Sequence, residues 1–428
     1  MIRAPFNFVP RSQFVFFPSW SGKVGMDVPF ENAQTGKIHL RLTAKTPVFV
    51  RQGQVTNATP SKDFVHKEDV YFIPATSIKG MVRSILEIIS FGKLSMQGDK
   101  ESKYLAHAAS TIDLAECIFG KVKGDSMRGR VQFSHAELKS SFTPTKEEEA
   151  YCGQPKASYD PIYKDGSYLK GWKRYPVRSE VSEIPEVAEG NEEFAQHFIP
   201  LAAGSVFECD MRYFNLKREE LGALLYAMNF FEGAIYSIGF GKPYGFGQVT
   251  IELSGNEEIE ILKQEFVSLI SNTIEGYTDS VQLHELKEMM TLHPEKEHFL
   301  EYMSLAEYNE HREDGSSLPY YSQLESAIIE EKEEETENQE EQTPPNEPAP
   351  VVAQTPQEPE PILAKVTFFQ KQGNNMNVSI VIEDGDKKGR KEKITVPINV
   401  NTKNIKWNKV KQVKVGYRNG KFIFIEAL

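Results

Sequence analysis

The chain has 428 residues, 39% hydrophobic and 26% charged. That is the balance of an ordinary soluble protein, with length for roughly three domains at ~150 residues each. No apolar run reaches the ~18 residues needed to span a bilayer, so no membrane role is expected. The start, MIRAPFNFVPR, lacks the basic-then-apolar order of a secretory signal. Cys117, Cys152 and Cys209 are widely spaced, and no CxxC exists for zinc. Three such residues make no disulfide framework, which reads as a reduced, cytoplasmic chain.

The net charge of -12 argues against nucleic acid only until its distribution is seen. Residues 329–361 carry -10, residues 362–428 carry +9, and residues 1–328 carry -11. A whole-chain charge is a poor guide when one segment is acidic and another basic.

In chain order, KIHLRLTAKTPVFV (37–50) alternates apolar and polar, as a half-buried strand does. A polar segment, 51–69, leads to YFIP and a helix from about Thr76 to Ser90. Its Ile78, Met81, Val82, Ile85, Leu86 and Ile89 recur at helical spacing, with Ser77 or Thr76 as cap. Strands follow at 129–138 and 205–214, then an amphipathic helix at 217–230, a glycine-rich turn and a strand at 248–253. Strand–helix–strand, repeated, is the order of a ferredoxin-like (RRM-like) domain of the α+β class. An insertion, about 139–204, separates its halves, and 256–328 reads as a helical acidic extension. Residues 329–361 are a Glu/Pro/Gln linker with too little apolar surface to fold. Beyond it, five short strands (363–370, 376–383, 391–398, 411–417, 420–426) predict a small basic β-barrel of the OB kind.

Three segments carry candidate chemistry. In IGFGKPYGFGQV (238–249), Gly239, Gly241, Gly245 and Gly247 alternate with aromatics around Lys242. Tyr244 occupies the third glycine's place of a dinucleotide fingerprint, and the loop precedes a strand instead of opening a helix. Such a turn can bring backbone N–H groups to phosphates while its aromatics stack on bases; the alternative is a tight hairpin. In IPATSIKGMVRSIL (73–86), Lys79 and Arg83 share a helix face and Ser77 sits at the N-terminus, where anions are favoured. The alternative there is a capped helix with two solvated cations. The stretch 156–178 is basic and aromatic, with Lys170, Trp172, Lys173 and Arg174 suited to phosphates and unstacked bases, or else an ordinary tyrosine-rich loop.

Taken together, IPATSIKGMVR (73–83), CIFG (117–120), GRVQFSHA (129–136) and GFGKPYGFG (239–247) resemble the ordered motifs of the RAMP superfamily (repeat-associated mysterious proteins) of CRISPR systems. The opening APFNFVP (4–10) and LKGWKRYP (169–176) are similar to a single-chain branch in type III systems. The resemblance covers roughly residues 1–255. Ala75 stands where the family's first motif has Gly, and His135 where its strand motif has Asp.

The resemblance implies a CRISPR type III effector-complex subunit that binds crRNA and takes part in recognising target RNA in antiviral defence. Its partners would be crRNA, target RNA, other RAMP subunits and the large subunit. Binding calls for no cofactor. In the family's backbone subunits, an Asp on the loop after the first strand promotes metal-dependent cutting of target RNA. Asp63 is nearest in position, with His66 beside it. A cleaving site there would hold Mg²⁺ at Asp63. The other readings are a solvated polar loop at 51–72, an endoribonuclease subunit acting through Asp63, and a general RNA-binding protein unrelated to CRISPR.

Overall fold

The computed structural model describes residues 2–25, 28–53, 61–94, 106–122, 124, 126–152, 162–165, 168–185, 195–314 and 316–324. In the C-terminal part it describes 362–372, 375–382, 391–397, 412–418 and 421–427. The linker expected at 329–361 lies outside these. The chain divides into two compact units, Met1–Gln342 and Thr343–Leu428.

In the first unit, β1 (Asn7–Pro10) precedes the long β2 (Gln34–Ala44). β3 (Val70–Ile73) runs into α1 (Ala75–Ile89), followed by α2 (Leu114–Phe119). Three short strands come next: β4 (Met127–Arg128), β5 (Val131–Phe133) and β6 (Ala136–Leu138). Within the insertion, β7 (Gly171–Arg174) pairs antiparallel with β1, placing Trp172 opposite Val9. β8 (Val206–Leu216), α3 (Arg218–Met228), β9 (Tyr236–Ser237) and β10 (Gln248–Ser254) complete the sheet. The extension supplies α4 (Ile259–Ser271), α5 (Val281–Met289) and α6 (Leu305–Asp314).

The main sheet runs β9-β10-β2-β8-β6-β3, with β5 also on β8 and His66–Lys67 on the outer edge. Its pairings are antiparallel. The sequence pattern explains the two central strands. Ile38, Leu40 and Leu42 of β2, and Phe207, Cys209 and Met211 of β8, are buried on one face. The intervening Lys37, His39 and Arg41, and Glu208, Asp210 and Arg212, occupy the other, as a period of two requires. Burying α1's apolar stripe, Ile78 to Ile89, contributes about 1.5–3 kcal/mol per large side chain against leaving it exposed.

The extension joins the same core: Leu262, Phe266, Leu286 and Tyr321 belong to one cluster with Ile38 and Ile85. Gly222 of α3 lets α4 approach, since a Cβ there would lie 1.9 Å from the Leu262 carbonyl. The fully buried Arg130 joins α2 to α3. Its Nε donates to the Cys117 carbonyl (3.1 Å) and its Nη1 to Glu220 (2.8 Å). Glu220 also accepts from Trp20 Nε1 at 3.0 Å and the Lys217 amide at 2.9 Å, so the buried pair is well hydrogen-bonded.

The second unit is a five-stranded antiparallel sheet. Its strands are β11 (Ile362–Gln372), β12 (Asn375–Ile382), β13 (Lys391–Pro397), β14 (Gln412–Arg418) and β15 (Lys421–Ala427), in the order β13-β12-β11-β14-β15. β11 pairs through Ile362–Lys365 with β14 and through Ala364–Gln372 with β12, shifting register between Val366 and Phe368. The edge strands β13 and β15 also approach each other.

Candidate functional site

The first motif meets the second and third at α1. Helix α1 begins at Ala75 with Pro74 at its N-cap and no side-chain cap from its own start. The acceptor comes from another strand: the Ala75 amide donates to His135 Nδ1 at 3.1 Å, and the His135 ring lies 4.5 Å from that of Phe72. Ser77 is half-buried, its amide donating to the Pro74 carbonyl at 2.9 Å. Lys79 Nζ and the Arg83 guanidinium lie 5.8 and 5.9 Å from the Phe119 ring centre. Arg83 also donates to Glu87 (2.7 Å) and the Gly120 carbonyl (3.4 Å). Burial lowers the Lys79 ammonium below its usual pKa, and the neighbouring Arg83 charge adds to this.

The glycine-rich loop folds on itself. Gly239, Gly241, Gly245 and Gly247 all have positive φ, flanking a short turn at Lys242–Tyr244. Two of them are required by close backbone approach. A Cβ on Gly239 would lie 2.1 Å from the Phe49 carbonyl, and one on Gly247 1.9 Å from the Ile238 carbonyl. The amides of Phe240, Tyr244, Gly245, Phe246 and Gly247 donate to carbonyls of Phe49, Gly241, Lys242, Gly241 and Pro47. These five N–H groups are therefore spent within the chain, not directed at an anion. Thr46 and Gln248 donate to the Gly245 carbonyl, and Arg178 to that of Pro243. Lys242 Nζ donates to the Gly239 carbonyl at 2.6 Å. Burial, with Arg174 nearby, lowers its pKa to about 8. Phe246 packs edge-on to Phe198 at 5.2 Å.

The insertion's cations turn inward. Lys170 is 5% exposed and donates to the Leu318 carbonyl, and Trp172 is 7% exposed. Lys173 sits 3.5 Å from the Phe6 ring centre and donates to Tyr163 Oη at 2.9 Å; burial lowers its pKa to about 8. Arg174 donates to Ser84 Oγ of α1 at 2.8 Å, and burial lowers it to about 10. Trp172, Lys173 and Arg174 thus hold the insertion against the β1 segment and α1, and Lys170 holds it against the extension at Leu318. Arg51, not singled out in the sequence, lies 5.3 Å from the Phe240 ring centre beside the glycine loop.

Asp63 is exposed, with its amide donating to Ser61 Oγ at 3.1 Å. His66 Nδ1 donates to the Phe64 carbonyl at 2.9 Å, and its ring faces Tyr71. Among the described residues no three His, Cys, Asp or Glu side chains gather to hold a metal. Asp63 offers a single carboxylate beside Lys62, which pairs with Glu147 at 2.7 Å. A single carboxylate there would hold a magnesium ion only together with water or phosphate oxygens. The thiols do not suggest nucleophiles either: burial raises all three, Cys152 to about 11 and Cys209 to about 12. No helix among the described residues is long and apolar enough to cross a membrane.

Three of the four sequence motifs thus meet at α1: α1 itself, the α2 end and the β5–β6 segment. The loop before β10 is linked to them through Arg174, which donates to Ser84 of α1 and lies near Lys242. Residues 41–250 match the RAMP superfamily. The RAMP-matched segment runs from within β2 to within β10 and includes α1, α3 and the glycine loop. A chain of a solved structure titled "Type IV-B CRISPR Complex" is also similar, at 15% identity. That likeness covers 52% of this chain and 91% of the other, with a TM-score of 0.31. No curated protein matches the chain.

Proposed function

We propose that this protein is an RNA-binding subunit of a CRISPR type III effector complex. It would bind crRNA, help present it to target RNA, and pack against other RAMP subunits and the large subunit. The observation that carries the reading is the meeting of three RAMP-like motifs at α1, inside the segment that matches the superfamily and that also holds the glycine loop. The spatial order β10, β2, β8, β5/β6, with α1 and α3 as crossovers, supports reading the first unit as ferredoxin-like. The order β13-β12-β11-β14-β15, with its edge strands approaching, supports an OB-like second unit.

The part played by the motifs differs from a simple cradle. The glycine loop, His135, Arg83 and Arg174 fix the shape of the surface through contacts within the chain. Phosphate binding then falls to cations that remain exposed on it. The test is purification of the tagged chain from its native cells, followed by sequencing of the RNA that comes with it. Repeat-derived CRISPR RNA should dominate, accompanied by other effector subunits. A cross-section of cellular RNA, or none, would overturn the assignment and favour a general RNA binder.

A further inference from the structure

Along the solvent face of the main sheet, β2 and β8 meet rung by rung. Arg41 stands opposite Glu208 and His39 opposite Asp210. Both rungs are complementary, with Arg41 Nη1 2.7 Å from Glu208 and His39 Nδ1 3.0 Å from Asp210. The third rung breaks the pattern: Lys37 stands opposite Arg212. Like charges directly opposite each other in a sheet are destabilising. Lys37 reaches diagonally to Asp210 at 3.2 Å, while Arg212 has no ion-pair partner among the described residues. On its other side Arg212 faces Gln132.

A cleft of about 640 Å³ opens at that rung. Lys37, Arg212, Lys79 of α1 and Arg128 of β4 line it, together with Tyr213 and Phe214, and none of the described residues that line it is acidic. Arg128 and Arg212 are exposed. The pKa of Lys79, lowered mainly by burial, accords with a partly desolvated place. This accumulation is not compositional, because residues 1–328 carry -11 overall. Cations from four separate elements, in a cleft open to solvent, suit a run of phosphates rather than one enclosed ion.

We propose that the cleft between β2, β8, β4 and the start of α1 binds consecutive phosphates of an RNA strand, with Lys37, Lys79, Arg128 and Arg212 as the contacts. The inference rests on the RNA-binding reading above and adds the place where the backbone runs. The phosphates repay the electrostatic cost of the Lys37–Arg212 rung. Phe214, partly exposed beside them, offers a face to a base.

The experiment uses the full chain and a fluorescent single-stranded RNA, with anisotropy measured at several salt concentrations. Arg128→Gln/Arg212→Gln should weaken binding at least tenfold. It should also reduce the log–log salt slope by about 1.4, at ~0.7 per lost phosphate contact. Arg41→Gln, at the complementary end of the ladder, should leave both unchanged, and thermal melts of each variant establish that it is folded. As a second readout, RNA carrying 4-thiouridine should crosslink to the peptide holding Tyr213 and Phe214 in the wild type and not in the double variant. Wild-type affinity, slope and crosslink in a folded double variant would overturn the cleft while leaving the RNA-binding reading standing. A wild type that binds no RNA would overturn both. Tripolyphosphate lost by the double variant while RNA is retained would make the site one for free anions and overturn the RNA assignment.

Discussion

The Ala75 amide and His135 Nδ1, sixty residues apart in sequence, meet at 3.1 Å. This bond gives the first turn of α1 the acceptor that Pro74 cannot supply. It also gives a physical account of the position where the RAMP-like strand motif carries His instead of Asp: either side chain can accept an N–H there. His135→Ala should destabilise the first unit by about 1 kcal/mol, the usual value of an N-cap acceptor. His135→Asp should restore most of the loss, because a carboxylate also complements the positive end of α1. Urea unfolding of the three proteins checks both; equal midpoints for Ala and His would remove the capping role.

The glycine loop makes a sharper contrast. Gly247 and Gly233 both have positive φ, 74° and 83°, but a Cβ at Gly247 would strike the Ile238 carbonyl, whereas at Gly233 it meets nothing within 4 Å. Gly233→Ala should therefore cost only the left-handed backbone penalty of about 1–2 kcal/mol. Gly247→Ala should cost more, since the β9–β10 connection must move to admit the methyl group. If the glycines served RNA alone, the two variants would unfold alike. Denaturant midpoints, measured without RNA, separate the cases.

The elements were legible where a single periodicity decided them. Helices expected at 76–90 and 217–230 occupy Ala75–Ile89 and Arg218–Met228, and the five C-terminal strands fall within two residues of expectation. The strand expected over 129–138 is two short ones, because its middle turns so that His135 can reach α1. The roles of the site residues were harder to read. Lys170 and Trp172 look like ligands in a basic, aromatic run, but pairing of β7 with β1 turns them inward, and that long-range pairing leaves no local pattern. Lys37, Arg128 and Arg212 sit on three different strands, so no spacing announces that they share a cleft.

Lys242 links the loop to pH. Burial, with Arg174 nearby, places its pKa at about 8, below the usual lysine value of 10.5. Between those values the unfolded chain holds a proton that the folded chain has released. By linkage, this residue's contribution to stability rises as pH increases from about 8 to 10.5. The unfolding free energy of the wild type minus that of Lys242→Met should rise with pH over that window and level off above it. A difference independent of pH would place the ammonium in a better solvated site.

Residues 362–428 of the second unit carry +9, while the rest of the chain is acidic. The buried Ala364, Val378, Ile380 and Val413 lie on strands that pair with one another inside that unit. The isolated segment should therefore fold by itself, with a cooperative thermal transition and strand-type circular dichroism. Phe368, Phe369, Trp407, Tyr417, Phe422 and Phe424 give it aromatics, and Lys403, Lys406, Lys409, Lys411 and Lys414 crowd one stretch of its sequence. A basic β unit of this composition is expected to bind single-stranded RNA with roughly micromolar affinity that falls steeply with salt, because each phosphate contact releases counterions. Gel shifts at two salt concentrations measure this. Folding without binding, even at low salt, would make the charge a docking surface for an acidic protein segment and leave RNA contact to the first unit.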